Sequence, residues 1–241
     1  MGLRILDAHA HILPCADHGS QSVEMSLRQL SRARAAGVTD IIATPHFYPH
    51  RHRLESFLPR RENALRALLP ALDGDMPRIH LGAEVLLCDG LERMDRLEAL
   101  CVQGTRTLLL EMPFSGMGEA LLGSMYDIQA KRGLRVLLAH IDRYPRETVL
   151  AALETGASAQ LNAEGICSLK RGRRCREWLR EGVVQAIGSD VHGDGTQYRA
   201  FARAIHKPYL DCGSLMACGA GLLLCAPEEQ LAVFSGPGAR E

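Results

Sequence analysis

The chain has 241 residues, of which 46% are hydrophobic and 23% are charged, which is ordinary for a globular protein with a sizeable core. Its 28 lysines and arginines balance 28 acidic residues, so no basic field exists to hold nucleic acid or an anionic membrane. No apolar signal region follows the N-terminus, and the longest apolar run, Leu215 to Ala226, is too short and glycine-rich to span a bilayer. We therefore expect a cytoplasmic protein in which most of the eight cysteines are buried thiols.

Strands and helices are predicted to alternate along the chain. The first strand, Leu3 to Leu6, leads into Asp7-Ala8-His9-Ala10-His11, and the first helix begins after Ser22 as its N-cap and ends at Gly37. The six further strands are predicted to end at or beside Thr44, Glu84, Glu111, His140, Leu161 and Gly188. The later helices are predicted from about Ser56 to Leu72 and around the apolar groups Leu91–Leu100, Leu121–Ile128, Val149–Leu153 and Trp178–Leu179.

Seven such strand and helix units are typical of a parallel α/β fold, either a doubly wound sheet or a closed barrel. The barrel explains more, because it turns every strand's C-terminal end toward one mouth, whereas an open sheet would not bring strands one and seven together. No composition break, linker or internal repeat divides the chain. We predict a single domain over residues 1–241 with a barrel architecture.

Residues of the kind that bind metals recur where apolar runs end. Side chains at i and i+2 of a strand leave the same face, so His9 and His11 can share one metal ion or line one cavity; alternatively, they are polar residues at a loop mouth. The same arrangement of an apolar run followed by a ligand-type residue is repeated at His46, Glu84, Glu111, His140, Asp190 and His192. This repetition favours a metal site at the mouth.

Two interpretations stay open from the residues alone. Glu111 directly follows Leu108-Leu109-Leu110, and a charge at the edge of a buried strand is costly unless an arginine or a metal meets it. Asp17 and His18 lie in a turn-rich loop, where they are either further ligands or part of a solvated turn.

One segment of the chain has the residue spacing of cysteine-based phosphatases. Cys167 and Arg173 have the C-x5-R spacing of such enzymes, but no histidine precedes the cysteine and no glycine-rich cradle follows it. We therefore expect this spacing to be a chance match.

The ordered motifs resemble the PHP (polymerase and histidinol phosphatase) superfamily. Within it they are similar to the manganese-dependent protein-tyrosine phosphatases of capsule and exopolysaccharide operons, the CpsB/YwqE type. The segments that carry the resemblance are Asp7–Pro14, Ala43–His46, Gly82–Glu84, Leu110–Glu111, Ala139–Tyr144, Ala159–Asn162 and Ser189–His192. The resemblance implies a distorted (β/α)7 TIM-like barrel, which agrees with the seven predicted strands.

The same resemblance implies a cluster of up to three divalent metal ions, with manganese expected and iron or zinc as alternatives. The implied ligands are His9, His11, His18, His46, Glu84, Glu111, His140, Asp190 and His192. Glu111 is expected to bridge two ions. His18 stands where the related enzymes have an aspartate ligand, and we expect it to remain a ligand.

The resemblance further implies hydrolysis of phosphotyrosine by a metal-activated hydroxide. Arg143 and Arg199 are the expected phosphate-binding and catalytic arginines, Arg199 replacing a family arginine that is displaced here, and Asp17 completes the predicted catalytic residues. The implied substrate is the tail of a bacterial tyrosine autokinase, which would link the protein to polysaccharide export. Homo-oligomers occur among the relatives.

Two other functions stay open at this point. One is a PHP phosphatase for a small phosphomonoester such as histidinol phosphate. The other is a non-catalytic barrel that serves as a binding or scaffold subunit.

Overall fold

A computed structural model describes residues 3–224. Its strands are β1 Leu6–Ala10, β2 Asp40–Ala43, β3 His46–Phe47, β4 Arg78–Leu81, β5 Glu84–Leu86, β6 Thr107–Glu111, β7 Arg135–Leu138, β8 Ser158–Asn162 and β9 Ala186–Gly188. Its α-helices are α1 Val23–Ala35, α2 Leu54–Leu68, α3 Glu119–Ala130, α4 Arg146–Leu153, α5 Ala163–Cys167, α6 Gly172–Arg180, α7 Tyr198–Ile205 and α8 Cys212–Leu223. Short 3-10 helices cover Leu69–Ala71, Leu91–Arg93, Leu97–Leu100 and Ile141–Arg143.

The strands pair in parallel, in the orders β1-β2-β4 and β3-β5-β6-β7-β8-β9. A two-residue break separates β2 from β3, and another separates β4 from β5, but the register continues across both: Ala43 pairs with Leu81, and His46 with Glu84. Pro45 lies in the first break and has no amide hydrogen to donate. β2 and β3 are therefore two parts of one interrupted strand, as are β4 and β5. Counted in this way, the strands number seven, as the sequence predicts.

The ring of strands closes between β1 and the segment that follows β9. Ala10 forms a parallel bridge with Val191, the Asp190 amide donates to the His9 carbonyl at 2.8 Å, and the His11 amide donates to the Val191 carbonyl at 3.2 Å. The buried apolar side chains form one continuous core. The predicted barrel is confirmed, and the doubly wound alternative does not apply.

Several predicted elements have the predicted positions. The β6 strand ends at Glu111, and α1 begins after Ser22, whose side chain accepts a hydrogen bond from the Met25 amide as an N-cap does. The later helices fall on the apolar groups that predict them, except in one region.

That region is Leu91 to Leu100, where the sequence predicts one helix. The structure has two 3-10 helices there, separated by a segment in which Arg96 adopts the left-handed conformation, with φ of +56°. A residue in that conformation cannot continue a right-handed helix. Helical spacing of apolar residues alone misled the prediction.

The first strand is also displaced from its predicted position. Leu3 is exposed, and β1 instead covers Leu6 to Ala10, with all five residues buried. Asp7 is tolerated inside this buried strand because its carboxylate accepts a hydrogen bond from the Ser189 amide at 2.8 Å. The motif histidine His9 therefore lies within the strand rather than after it.

The cysteines are less buried than expected. Of the seven in residues 3–224, Cys101 and Cys175 are buried, Cys15 and Cys218 are exposed, and all seven are free thiols; Cys225 lies outside the described residues. The expectation of mostly buried thiols is therefore wrong. Among the described helices, none combines the length and the apolar character that crossing a bilayer requires.

An ionic cluster holds the end of the barrel opposite the mouth. Asp40, the first residue of β2, is fully buried and accepts hydrogen bonds from Arg4 at 2.7 Å, Arg78 at 3.0 Å and His80 at 3.0 Å. Burial by itself would raise the pKa of Asp40, but these hydrogen bonds outweigh burial and hold the pKa well below its ordinary value. His80 therefore has a structural role, as its position inside a strand predicts.

We expect Asp40→Asn to lower the free energy of unfolding by about 2–3 kcal/mol at pH 7, because charge-assisted hydrogen bonds of a buried group are lost. A carboxylate whose pKa is lowered by folding stabilises fully above its unfolded pKa of about 4, and that stabilisation is lost progressively as the pH falls from there toward the folded pKa. Urea unfolding of both proteins between pH 7 and pH 3 should therefore show a difference that narrows in acid. A pH-independent difference would contradict this account, and Asp75→Asn, at a 90% exposed side chain, is the control.

Candidate metal centre

Glu84 is the centre of a buried polar cluster at the barrel mouth. Its Oε2 atom lies 2.8 Å from His46 Nδ1 and 3.3 Å from the Nε2 atoms of His9 and His11. Its other oxygen, Oε1, lies 2.8 Å from His140 Nε2. Four imidazoles that are distant in sequence thus converge on one carboxylate.

The barrel topology explains this convergence. Eight side chains come together at one mouth from strand ends and the residues after them: His9 in β1 and His11 just after it, His46 in β3, Glu84 in β5, Glu111 in β6, His140 after β7, and Asp190 and His192 after β9. In barrels of this kind, the C-terminal ends of the strands carry the functional residues. The repeated pattern in the sequence therefore marked residues that the fold brings together.

The donor atoms of the cluster form overlapping groups of three, and within each group they lie within 4.8 Å of one another. The groups are His11 with His46 and His192, His9 with His11 and Asp190, His9 with Glu84 and His140, and His46 with Glu84 and Glu111. Because the groups share members, they fit neighbouring ions with common ligands. Eight of the nine predicted metal ligands are thus brought together.

The ninth, His18, lies beside the cluster. It is exposed, and its ring stacks on His46 with a centroid distance of 4.8 Å and on His192 with a centroid distance of 4.7 Å. His18 belongs to none of the groups of possible metal-binding atoms that the described residues form. Its ligand role stays a prediction.

Asp17 orients one of the imidazoles. Its Oδ2 atom lies 2.6 Å from His11 Nδ1 and accepts the His46 amide at 3.0 Å, while Oδ1 accepts the Gly19 amide at 2.8 Å. A Cβ atom on Gly19 would lie 2.2 Å from His11 Cβ, so only glycine fits there. The interaction with Asp17 leaves His11 Nε2 facing Glu84. Only Oδ1, which accepts the Gly19 amide, has the contact expected of a turn, whereas Oδ2 contacts the cluster through His11.

The charged groups of the cluster shift one another's pKa values. The surrounding imidazoles outweigh the burial of Glu84 and lower its pKa well below the ordinary value, whereas burial and the Glu84 charge raise the pKa of Glu111. Burial lowers the pKa of His11, but the carboxylates of Asp17 and Glu84 outweigh it and raise the pKa to about 10. Burial and the nearby His11 lower the pKa of His192 to about 4, which leaves a neutral imidazole able to bind a metal.

Unpartnered buried atoms test whether metal ions fit this site. His46 Nδ1, Glu84 Oε2, His140 Nδ1 and His192 Nε2 are buried and have no hydrogen-bond partner among the described residues. Each such atom costs about 1–3 kcal/mol when it is left unsatisfied. His46 Nδ1 and Glu84 Oε2 are 2.8 Å apart without hydrogen-bond alignment. Imidazole nitrogens and carboxylate oxygens in this state fit a cluster of divalent metals.

Two candidate ligands have a strained backbone that β8 supports. His140 and Asp190 have φ of +32° and +50°, in a region that costs a non-glycine residue about 1–3 kcal/mol. Gln160 Oε1 accepts the His140 amide at 2.6 Å, and Asn162 Nδ2 donates to Asp190 Oδ2 at 3.0 Å. A Cβ atom on Gly188 would lie 2.6 Å from the side-chain nitrogen Nε2 of Gln160, so the packing here is tight. The sequence motif contained both polar residues but did not indicate their supporting role.

The two predicted arginines lie in different places. Arg143 closes the 3-10 helix after His140, its guanidinium hydrogen-bonds Asp190, and its side chain is 36% exposed. Arg199 is exposed on α7 and lines a groove with Arg32 and Ala35 of α1. Within residues 3–224, the structure brings Arg143 to the cluster and leaves Arg199 apart from it.

Comparison with known proteins agrees with this architecture. Residues 5–209 match the family described as "Capsular polysaccharide synthesis, CpsB/CapC". The chain belongs to the CpsB/CapC family. The resemblance drawn from its motifs is thereby confirmed.

Relatives in the CpsB/CapC family have known names. The chain is similar to the tyrosine-protein phosphatase YwqE of Bacillus subtilis (strain 168), with 26% identity over 207 residues, 80% of this chain and 79% of YwqE. It is also similar to CapC of Staphylococcus aureus, with 24% identity over 203 residues, 78% of this chain and 77% of CapC.

A solved structure shares the fold. It comes from the crystal structures of YwqE from Bacillus subtilis and CpsB from Streptococcus pneumoniae, described as unique metal-dependent tyrosine phosphatases. The TM-score is 0.71 at 20% identity, and the match covers 88% of this chain and 90% of the other.

The cysteine-based alternative finds no support in this CpsB/CapC chain. The Cys167 thiol donates to the Ala200 carbonyl at 3.4 Å, and Arg173 pairs with Glu177 through a side chain that is 84% exposed. The two residues therefore do not form a phosphate cradle.

Proposed function

We propose that this protein is a metal-dependent phosphatase that hydrolyses phosphotyrosine in a protein substrate. The observation that carries the proposal is the convergence of five imidazoles and three carboxylates, Glu84 among them, with Arg143 at the mouth beside them. The names of the relatives supply the substrate class, since YwqE is a tyrosine-protein phosphatase.

The proposed cofactors are up to three divalent metal ions. A mixed set of imidazoles and carboxylates suits manganese, iron or zinc, and we propose manganese. When bound, such ions supply a water nucleophile at neutral pH and neutralise phosphate oxygens. The eight clustered residues would hold them, His18 is proposed as a ninth ligand, and Glu111 as a bridge between two ions.

The chain's own groups bind and orient the substrate. Arg143 offers a planar fork to two phosphate oxygens, and Asp190 holds that guanidinium in place. Asp17 acts from behind the cluster by fixing His11 through its Nδ1 atom. The leaving phenolate has a free pKa of about 10, so it needs less protonation than an alkoxide does.

The wider biological role follows the family. We propose the tail of a tyrosine autokinase as the substrate, and the control of capsular or exopolysaccharide synthesis as the consequence, with residues 1–241 acting as one domain and homo-oligomers as the assembly. We also propose a cytoplasmic location, which the free thiols of the described cysteines support. The zero net charge argues against a nucleic-acid partner.

The proposal is tested by steady-state kinetics on the manganese-loaded protein. We expect kcat/KM for a phosphotyrosine peptide to exceed that for histidinol phosphate by about 100-fold, because the proposed site accepts a protein tail. Preference for histidinol phosphate would overturn the choice of substrate. A protein that binds no metal even after incubation with manganese, and that hydrolyses neither compound, would favour a scaffold.

A control variant separates the two phosphatase chemistries. Cys167→Ser should keep the activity within about twofold, because the proposed nucleophile is not a thiolate. Loss of activity in this variant, with the metal content unchanged, would instead favour the cysteine mechanism.

A further inference from the structure

A column of three aromatic rings connects the solvent with the metal centre. Phe114, in the loop between β6 and α3, is 70% exposed, and its ring stacks on Tyr144 with centroids 5.2 Å apart and an interplanar angle of 20°. Tyr144 is buried and stacks in turn on His140, at 5.9 Å and 24°. One end of this column is therefore a candidate metal ligand, and the other end is an open ring.

The inner rings of the column are fixed. The Tyr144 hydroxyl donates to the Met112 carbonyl at 2.6 Å, and the His140 backbone is held by Gln160. Phe114 thus lies on a rigid support, two residues after Met112 in the chain. A ring held in this way loses little conformational freedom when it binds another ring.

A second tyrosine ring stacks on another candidate ligand. Tyr48 follows β3, is half-buried and stacks on His46 at 5.2 Å and 19°. Tyr48 lies beside His46 as Tyr144 lies beside His140, so two aromatic rings pack against candidate metal ligands.

We propose that Phe114 determines substrate specificity by packing its exposed ring against the phenyl ring of phosphotyrosine, a role that rests on the function proposed above. In phosphotyrosine the ester oxygen is attached directly to the ring, so a phosphate at the cluster brings its ring close to the mouth. A phosphoserine or another alkyl phosphate offers no ring there. The exposed ring of Phe114 gains an aromatic partner only with an aromatic ester.

The test is a kinetic comparison of variants on the metal-loaded protein. Phe114→Ala should raise KM for a phosphotyrosine peptide about tenfold and leave kcat within about twofold, since contact between the two rings stabilises the ground state and the transition state alike. The inhibition constant of inorganic phosphate, which has no ring, should not change. Phe114→Tyr should restore the wild-type KM.

Tyr126→Ala is the matched control, because Tyr126 is 57% exposed on α3 and is an aromatic residue outside the column. Its KM should equal that of the wild type. The inference is overturned if Phe114→Ala keeps the wild-type KM, or if its phosphate inhibition constant rises in parallel with KM. If the wild-type protein does not hydrolyse the peptide at all, the proposed function falls as well, which distinguishes the two failures.

Discussion

Glu84→Gln is expected to lower kcat/KM for a phosphotyrosine peptide by at least about 10³-fold and to reduce the bound metal. The glutamine has almost the same shape, but it lacks the negative charge that the two oxygens of Glu84 present to four imidazoles. Its amide would also direct N–H donors at nitrogens that should face a cation. The metal content, measured by elemental analysis, and the kinetics should therefore fall together.

Two further variants serve as comparisons for Glu84→Gln. Glu98→Gln, at a carboxylate that is 55% exposed and paired with Arg132, should change neither quantity. Glu111→Gln should cause a loss comparable to that of Glu84→Gln, because the proposed bridge would serve two ions, as Glu84 would through the two ligand groups to which it belongs. A much smaller loss would contradict the bridging role of Glu111, and full metal content in Glu84→Gln would contradict the assignment of Glu84.

The second large effect is expected at Arg143. Arg143→Met should lower kcat/KM about 10²–10³-fold, because a fork that binds two phosphate oxygens is removed from the mouth. Arg143→Lys keeps the charge but not the fork and should recover only part of the activity. Arg199→Met is the discriminating comparison, since its position on α7 predicts a change within about threefold.

Metal analysis completes this comparison, because Arg143 also hydrogen-bonds the candidate ligand Asp190. Retention of metal in Arg143→Met assigns the loss to phosphate binding. Should Arg199→Met lose as much activity as Arg143→Met, the groove between α1 and α7 would have to be the place where substrate binds.

The convergence of the clustered residues was predictable because it depends on local pattern and topology together. An apolar run that ends in a histidine or carboxylate marks a strand end, and a parallel barrel brings every such end to one mouth. Glu111 illustrates this, because its strand has the predicted end and its carboxylate lies in the cluster.

Other features depend on contacts that no local pattern contains. The break between β2 and β3 depends on pairing with the neighbouring strand, and the left-handed Arg96 depends on loop closure. The prediction for Arg199 followed the order of motifs, but its location depends on how α7 packs against α1. The stacking of Phe114 on Tyr144 joins residues 30 positions apart in the sequence and is visible only in three dimensions.

The continuous register across the two breaks places a strict limit on chain length at those points. His46 and Glu84 face each other only because equal numbers of residues separate them from the paired Ala43 and Leu81. Deleting one residue from either break would turn one of these side chains to the opposite face, since strand side chains alternate. Engineered insertions and deletions should therefore be tolerated in the connections on the outside of the barrel, whereas these two dipeptides set a spacing that cannot be altered independently.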